Sequence, residues 1–181
     1  PDKAQKVCYP FGFGLSYTTF ELSNIKAVKS GDLISISLSV KNTGMKAGKE
    51  VIQIYSSAPQ GKLGKPAKEL KAFKKTELLS PNETKEYSLS FKISELASFD
   101  DLGKIQKSAF VLEKGEYSFF VGTSVRDTVK CDYNLSIEKD TVVKQLTQLV
   151  APTELKERML SDGSMEKLPA KELKDYSAHS E

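Results

Sequence analysis

The stretch "ISISLSVKNTG", Ile34–Gly44, decides the fold class. Ile34, Ile36, Leu38 and Val40 alternate with Ser35, Ser37, Ser39 and Lys41. In a strand, successive side chains point to opposite faces, so this period of two describes one apolar face and one wetted face. Asn42-Thr43-Gly44 then supplies turn chemistry, because Asn and Gly tolerate positive φ. Gly48 marks a second bend, and Val51 to Tyr55 reads as the next strand.

The same signature recurs outward from that stretch. Tyr87, Leu89, Phe91 and Ile93 alternate with Ser88, Ser90 and Lys92, after a turn at Ser80-Pro81-Asn82-Glu83. Glu113-Lys114-Gly115-Glu116 is another turn, and Tyr117, Phe119 and Val121 follow it at the same spacing. Cys131, Tyr133, Leu135 and Ile137 share one face. Short strands separated by turn signals predict an all-β antiparallel sandwich. A parallel sheet needs helical crossovers, and no helix of that length fits between these segments. The helical hint in the body is one turn at Ser94-Glu95-Leu96-Ala97.

After residue 140 the character changes. Val142, Leu146, Leu149 and Val150 fit a helix, while Val142-Val143 also fits a last strand. Pro152 and Thr153 predict a short helix through Leu160, stopped by Ser161-Asp162-Gly163. From Ser164 onward the chain is polar and is expected to be extended or loosely held. The expected organisation is a docking segment at 1–15, a sandwich at 16–140, and an extended or partly helical tail at 141–181. The chain starts at Pro1 rather than at methionine, which leads us to expect a piece of a longer protein.

Composition excludes several function classes. Lys and Arg number 27 against 24 Asp and Glu, and only Arg126 and Arg158 are arginines. A nucleic-acid surface needs clustered basic residues interleaved with aromatics, and there is no such cluster. No run is apolar and long enough for a membrane-spanning helix. His179 lies at the end of a polar tail, a poor position for a catalytic base or a metal ligand. Two cysteines, Cys8 and Cys131, do not complete a tetrahedral zinc site. A bridge between them is open, although Cys131, on the apolar face of its strand, reads as a buried thiol. No cofactor or metal is expected.

The remaining candidates have plain readings. Asp100-Asp101 is the adjacent aspartate pair, but neighbouring strand residues face opposite ways, so a turn or cap role is expected. Asp127 reads as a turn or surface residue. Gly12-Phe13-Gly14 lacks the rest of a phosphate-binding loop and reads as a bend. Asn82-Glu83-Thr84 and Asn134-Leu135-Ser136 fit the glycosylation sequon, and both also read as ordinary turn or strand residues. The loop from Ser57 to Lys65 is a candidate for movement or insertion.

The opening segment "YPFGFGLSYTTFEL", Tyr9–Leu22, concentrates aromatic surface before the first strand. Tyr9, Phe11, Phe13, Tyr17 and Phe20 are suited to a sugar-stacking platform or to core and interdomain packing. A patch of that size marks an interaction surface, and docking through Tyr9, Phe11, Phe13 and Tyr17 is the reading preferred here.

These residues carry a resemblance. "YPFGFGLSYTTFEL" resembles the segment that leads into the fibronectin type III-like domain of glycoside hydrolase family 3 enzymes, the β-glucosidases and their relatives. "VKNTGMKAGKEVIQIY" (Val40–Tyr55), "PAKELKAFKKTELLSPNET" (Pro66–Thr84) and "LEKGEYSFFVGTSVRD" (Leu112–Asp127) resemble its later parts, in order. The resemblance implies a fibronectin type III-like, immunoglobulin-like sandwich inside a three-part enzyme. A β/α barrel would carry the aspartate nucleophile and an α/β sandwich the acid/base carboxylate. Both would be partners of this module in the same polypeptide, and a homo-oligomer of the parent is left open. None of the family's catalytic motifs maps onto this chain, so no residue here is assigned a catalytic role. The continuation "VVKQLTQLVAPTELKERMLSDGSMEKLP" is similar to a subgroup, mostly bacterial, in which the barrel follows this module. Independent carbohydrate binding and protein binding by an adhesion-type domain stand as the alternatives.

Overall fold

The computed structural model describes residues 7–147, 156–160 and 162–168. Two antiparallel sheets face each other. One has the order β1-β2-β5, built from β1 (Phe20–Ser30), β2 (Leu33–Asn42) and β5 (Thr84–Lys92). The other has the order β4-β3-β8-β9, built from β3 (Val51–Ser57), β4 (Glu69–Lys75), β8 (Gly115–Gly122) and β9 (Thr128–Ile137). The alternating apolar residues of the two inner faces make the core. Ile34, Ile36, Leu38 and Val40 lie with Ile52, Ile54, Tyr117, Phe119, Val121, Cys131 and Leu135, all at most 4% exposed. The intervening serines pair across the outer face, Ser35 opposite Ser90 and Ser37 opposite Ser88.

A smaller sheet closes one side, in the order β10-β7-β6: β6 (Ser98–Asp100), β7 (Ala109–Leu112) and β10 (Thr141–Gln145). The helical turn expected after β5 is a 3-10 turn at Ile93–Leu96. Thr141 and Val142 pair with Leu112 and Val111, so of its two readings Val142 takes the strand, and β10 carries the folded body past residue 140. Asp100 is fully buried and takes the turn role expected of it. Its carboxylate accepts the N–H groups of Gly103, Lys104, Ile105 and Gln106 at 2.7–3.0 Å. Desolvation alone would raise its pKa; these donors outweigh it and hold the carboxyl below its ordinary value.

The Asn-Thr-Gly turn after β2 is a hub. The Asn42 side chain accepts from Thr18 Oγ1 (2.7 Å) and Gly44 N (3.0 Å) and donates to the carbonyls of Lys46 and Leu79 (both 2.8 Å). Gly44 allows this closeness: a Cβ there would sit 2.2 Å from Thr18 Oγ1 and 2.8 Å from Thr19 N.

The tail corrects the expectation of a helix running to Leu160. β11 (Glu157–Met159) pairs antiparallel with β12 (Met165–Lys167). Pro152 and Thr153, the expected helix start, lie outside the described residues, as do His179 and the end of the tail. The physical reason for strand pairing is tertiary. Arg158 faces Glu166 across the hairpin, with Nε donating at 2.7 Å, and its other end meets Asp101 at 3.4 Å. Lys104 also pairs with Glu166, and Leu160 closes over Gly64. Ser164, where an extended or loosely held tail was expected to begin, leads directly into the extended strand β12.

Candidate docking surface

The segment before β1 is bound by its backbone while its rings remain outside. Phe13 N donates to Pro10 O (3.0 Å), closing a turn in which Gly12 has φ of +80°. Val125 N donates to Phe11 O (2.9 Å). Gln53, on β3, donates through Nε2 to Gly12 O (2.9 Å) and to Thr123 O. The Tyr55 hydroxyl donates to Gln53 Oε1 and fixes which end of the amide faces the strap. Glycine is required at position 12 twice over, by its left-handed backbone and because a Cβ would lie 2.0 Å from Gln53 Oε1.

On this anchored backbone Tyr9, Phe11, Phe13 and Tyr17 are 69, 64, 45 and 99% exposed. Tyr9 and Phe13 pair with ring centroids 5.1 Å apart. Phe20 separates from this set, because it packs against the core as the first residue of β1. Two aliphatic neighbours that the sequence reading passed over, Val7 and Leu15, are exposed at 52 and 89%. Their signal was available: Val7 precedes the run of rings and Leu15 follows Gly14 within it, and neither stands in an alternating pattern that would bury it.

Beside the strap lies a groove of about 370 Å³ whose lining includes Ser16, Thr18, Glu50, Thr123 and Asp127. Desolvation raises the Glu50 carboxyl above its ordinary value, and the charge of Asp127 adds to this against the hydrogen bond from Val51 N. Both carboxylates serve local structure. Glu50 Oε1 accepts from Val51 N (2.7 Å), and Asp127 Oδ2 accepts from Thr123 Oγ1 (3.0 Å) in the β8–β9 turn. Among the described residues no group of three or more His, Cys, Asp or Glu side chains converges as a metal site would. Cys8 is exposed and Cys131 buried, and both thiols are free.

The comparisons with known proteins match this architecture. Residues 50–125 match the fibronectin type III-like domain model. β-Glucosidase A of Butyrivibrio fibrisolvens is 48% identical over 98% of this chain, which spans 23% of that protein. The crystal structure of a β-glucosidase from Paenibacillus barengoltzii is 39% identical, with TM-score 0.79 over 94% of this chain and 20% of its own. This chain is a fibronectin type III-like domain of glycoside hydrolase family 3. β-Glucosidase 3B of Thermotoga neapolitana, solved with glucose, is 42% identical with TM-score 0.66, over 75% of this chain and 18% of its own. The family 3 chain thus spans a quarter or less of the length of these relatives. The first two alignments take in the tail as well as the sandwich, whereas the Thermotoga alignment leaves a quarter of the chain outside.

Proposed function

We propose that this chain is a non-catalytic accessory module of a family 3 glycoside hydrolase of β-glucosidase type. Its strap rings hold the catalytic barrel and the α/β sandwich of the parent in register and stabilise them. The observation that supports this is the contrast at the strap, where the backbone is tied down at Phe11 and Gly12 while Tyr9, Phe11, Phe13 and Tyr17 face outward. Rings left in water on an ordered backbone cost little further ordering when a partner covers them. An aromatic side chain buries roughly 150–250 Å². At about 25 cal/mol per Å², two or three such rings contribute several kcal/mol before association costs. β-Glucoside hydrolysis belongs to the parent enzyme, as the similarity to β-glucosidases supports.

The test uses the full-length parent. Tyr9→Ser, Phe11→Ser and Phe13→Ser together should lower its melting temperature, expose the domain junction to protease, and reduce β-glucosidase activity on heating. Residues 1–181 alone should neither hydrolyse an aryl β-glucoside nor bind glucan. Unchanged melting and protease resistance in the triple variant, or hydrolysis by the isolated chain, would refute the proposal.

A further inference from the structure

Phe73 sits in the middle of β4, an edge strand of the four-stranded sheet, and is 69% exposed. Edge strands of soluble domains are protected by charge, and Lys71, Lys74 and Lys75 on β4 serve that end. A bare phenylalanine among them works against it, unless something covers the ring.

Its position says what that cover adjoins. Phe73 is the cross-strand partner of Gln53 on β3. Directly opposite residues share a face of a sheet. Gln53 is the residue whose side chain holds Gly12 of the strap, so the strap lies over the outer face that Phe73 also decorates. Ala72, next to Phe73, turns the other way and packs against the core. The strap and Phe73 therefore share the outer face of this sheet, both adjoining Gln53.

We infer that the docking surface extends from the strap across the sheet to Phe73, and that its occupant is an apolar patch on another folded domain of the same parent polypeptide. The inference rests on the docking reading above and enlarges it from an anchored ribbon of rings to that ribbon plus a sheet edge. The occupant follows from continuity with the strap and from chain length. The relatives are several times longer than this chain, whose alignments span 23% of one and 16% of another, so a parent of that length has ample surface to supply.

Photo-crosslinking in the full-length parent tests it. p-Benzoylphenylalanine replaces Phe73, Phe11 or, as a control, Val28, which is 58% exposed on β1 of the other sheet. Linked peptides are identified by mass spectrometry. Positions 11 and 73 should each link to a residue outside 1–181 within one polypeptide, and position 28 should not. Links from 11 but not from 73 would overturn the extension and leave the docking reading standing. Links from neither position would remove both. A covalent dimer through position 73 would make a second copy the occupant and overturn the inference, as would links from 73 confined to residues 1–181.

Discussion

Lys65 donates its ammonium to the Glu113 carboxylate in the interior, with the two side chains 2% and 3% exposed. The pair reaches across 48 residues and locks the loop after β3. Glu113 also accepts from Lys62 N (2.6 Å) and Leu63 N (3.2 Å), and Lys65 donates to Pro59 O (2.7 Å). Leu63 is buried with Ala109 and Val111 beneath the small sheet. The loop read as a candidate for movement or insertion is thus held by an internal ion pair and three backbone hydrogen bonds. Removing one partner strands the other charge away from water.

Glu113→Ala should accordingly destabilise the domain by about 3–5 kcal/mol, the usual cost of breaking a buried pair. Urea unfolding read by tyrosine fluorescence checks this. The double variant Lys65→Met with Glu113→Leu should recover part of the loss but not all, because Lys62 N and Leu63 N would still lack an acceptor. Full recovery would show that the ion pair alone holds the loop.

Asn42→Ala should be nearly as damaging, although it removes no charge. Asn42 is fully buried and satisfies four groups from Thr18, Gly44, Lys46 and Leu79. At about 1 kcal/mol net for each hydrogen bond, the loss should reach about 3–4 kcal/mol. Thr18→Val removes one of the four and should cost about a quarter as much. Asn42→Asp keeps the two acceptor roles and turns a carboxylate toward two carbonyls, so it should not rescue stability. A shift of the urea midpoint within error of zero for Asn42→Ala would disprove the hub.

What the sequence disclosed and what it hid follow from range. Ile34, Ile36, Leu38 and Val40 were legible because burial on one face of a strand writes itself into every second residue. Cys131 was legible for the same reason. β6 and β7 have three and four residues, too few to establish a period, and nothing local marks Ser98 or Ala109 as strand. The tail hairpin was hidden because Arg158 and Glu166 draw part of their partners from Asp101 and Lys104. The strap was readable as glycine-spaced rings. Its anchor was not, since Gln53 meets Gly12 and Thr123 at separations of 41 and 70 residues. Glu113 lies in the turn where it was read, between β7 and β8, and is in addition the counter-ion of Lys65, 48 residues away.

The stability of the domain should fall as pH rises from about 9 to about 12, even with its fold intact at neutrality. Burial, with help from Asp132, pushes the Cys131 thiol from 9.0 up to about 11. Burial likewise pushes Tyr117 from 10.0 up to about 12, with the Glu113 and Asp140 charges adding. Tyr87 reaches about 12 through burial and its hydrogen bond to Glu77. In each case the folded state favours the protonated group. The contribution is complete below the unfolded pKa and is lost as pH rises toward the folded one. Urea midpoints measured from pH 7 to 11.5 should therefore decline first through the thiol and then through the tyrosines. Tyr117→Phe should lower the neutral-pH midpoint slightly, by loss of its bond to Glu113 O, and flatten the decline above pH 10. An unchanged slope in that variant would contradict the assignment.

Gln53→Leu should release the strap without disturbing the core. The Gln53 side chain lies on the outer face, between Gly12 O and Thr123 O, and Ile52 and Ile54 on either side fill the interior. Leucine keeps the bulk and removes both donors, so the carbonyls of Gly12 and Thr123 turn to water. The unfolding free energy should fall by about 2–4 kcal/mol, because three hydrogen bonds are lost, the third being the one the buried Tyr55 hydroxyl donates to Gln53 Oε1. Local exchange should change far more. The amides of Phe13 and Val125, which donate to Pro10 O and Phe11 O, should lose protection while those of β2 and β5 keep theirs. Tyr55→Phe should give the same pattern more weakly, since it loosens the amide of Gln53 without removing it. In the full-length parent, Gln53→Leu should then weaken domain association despite leaving every ring in place. Normal association with a released strap would show that the rings find their partner without being held ready for it.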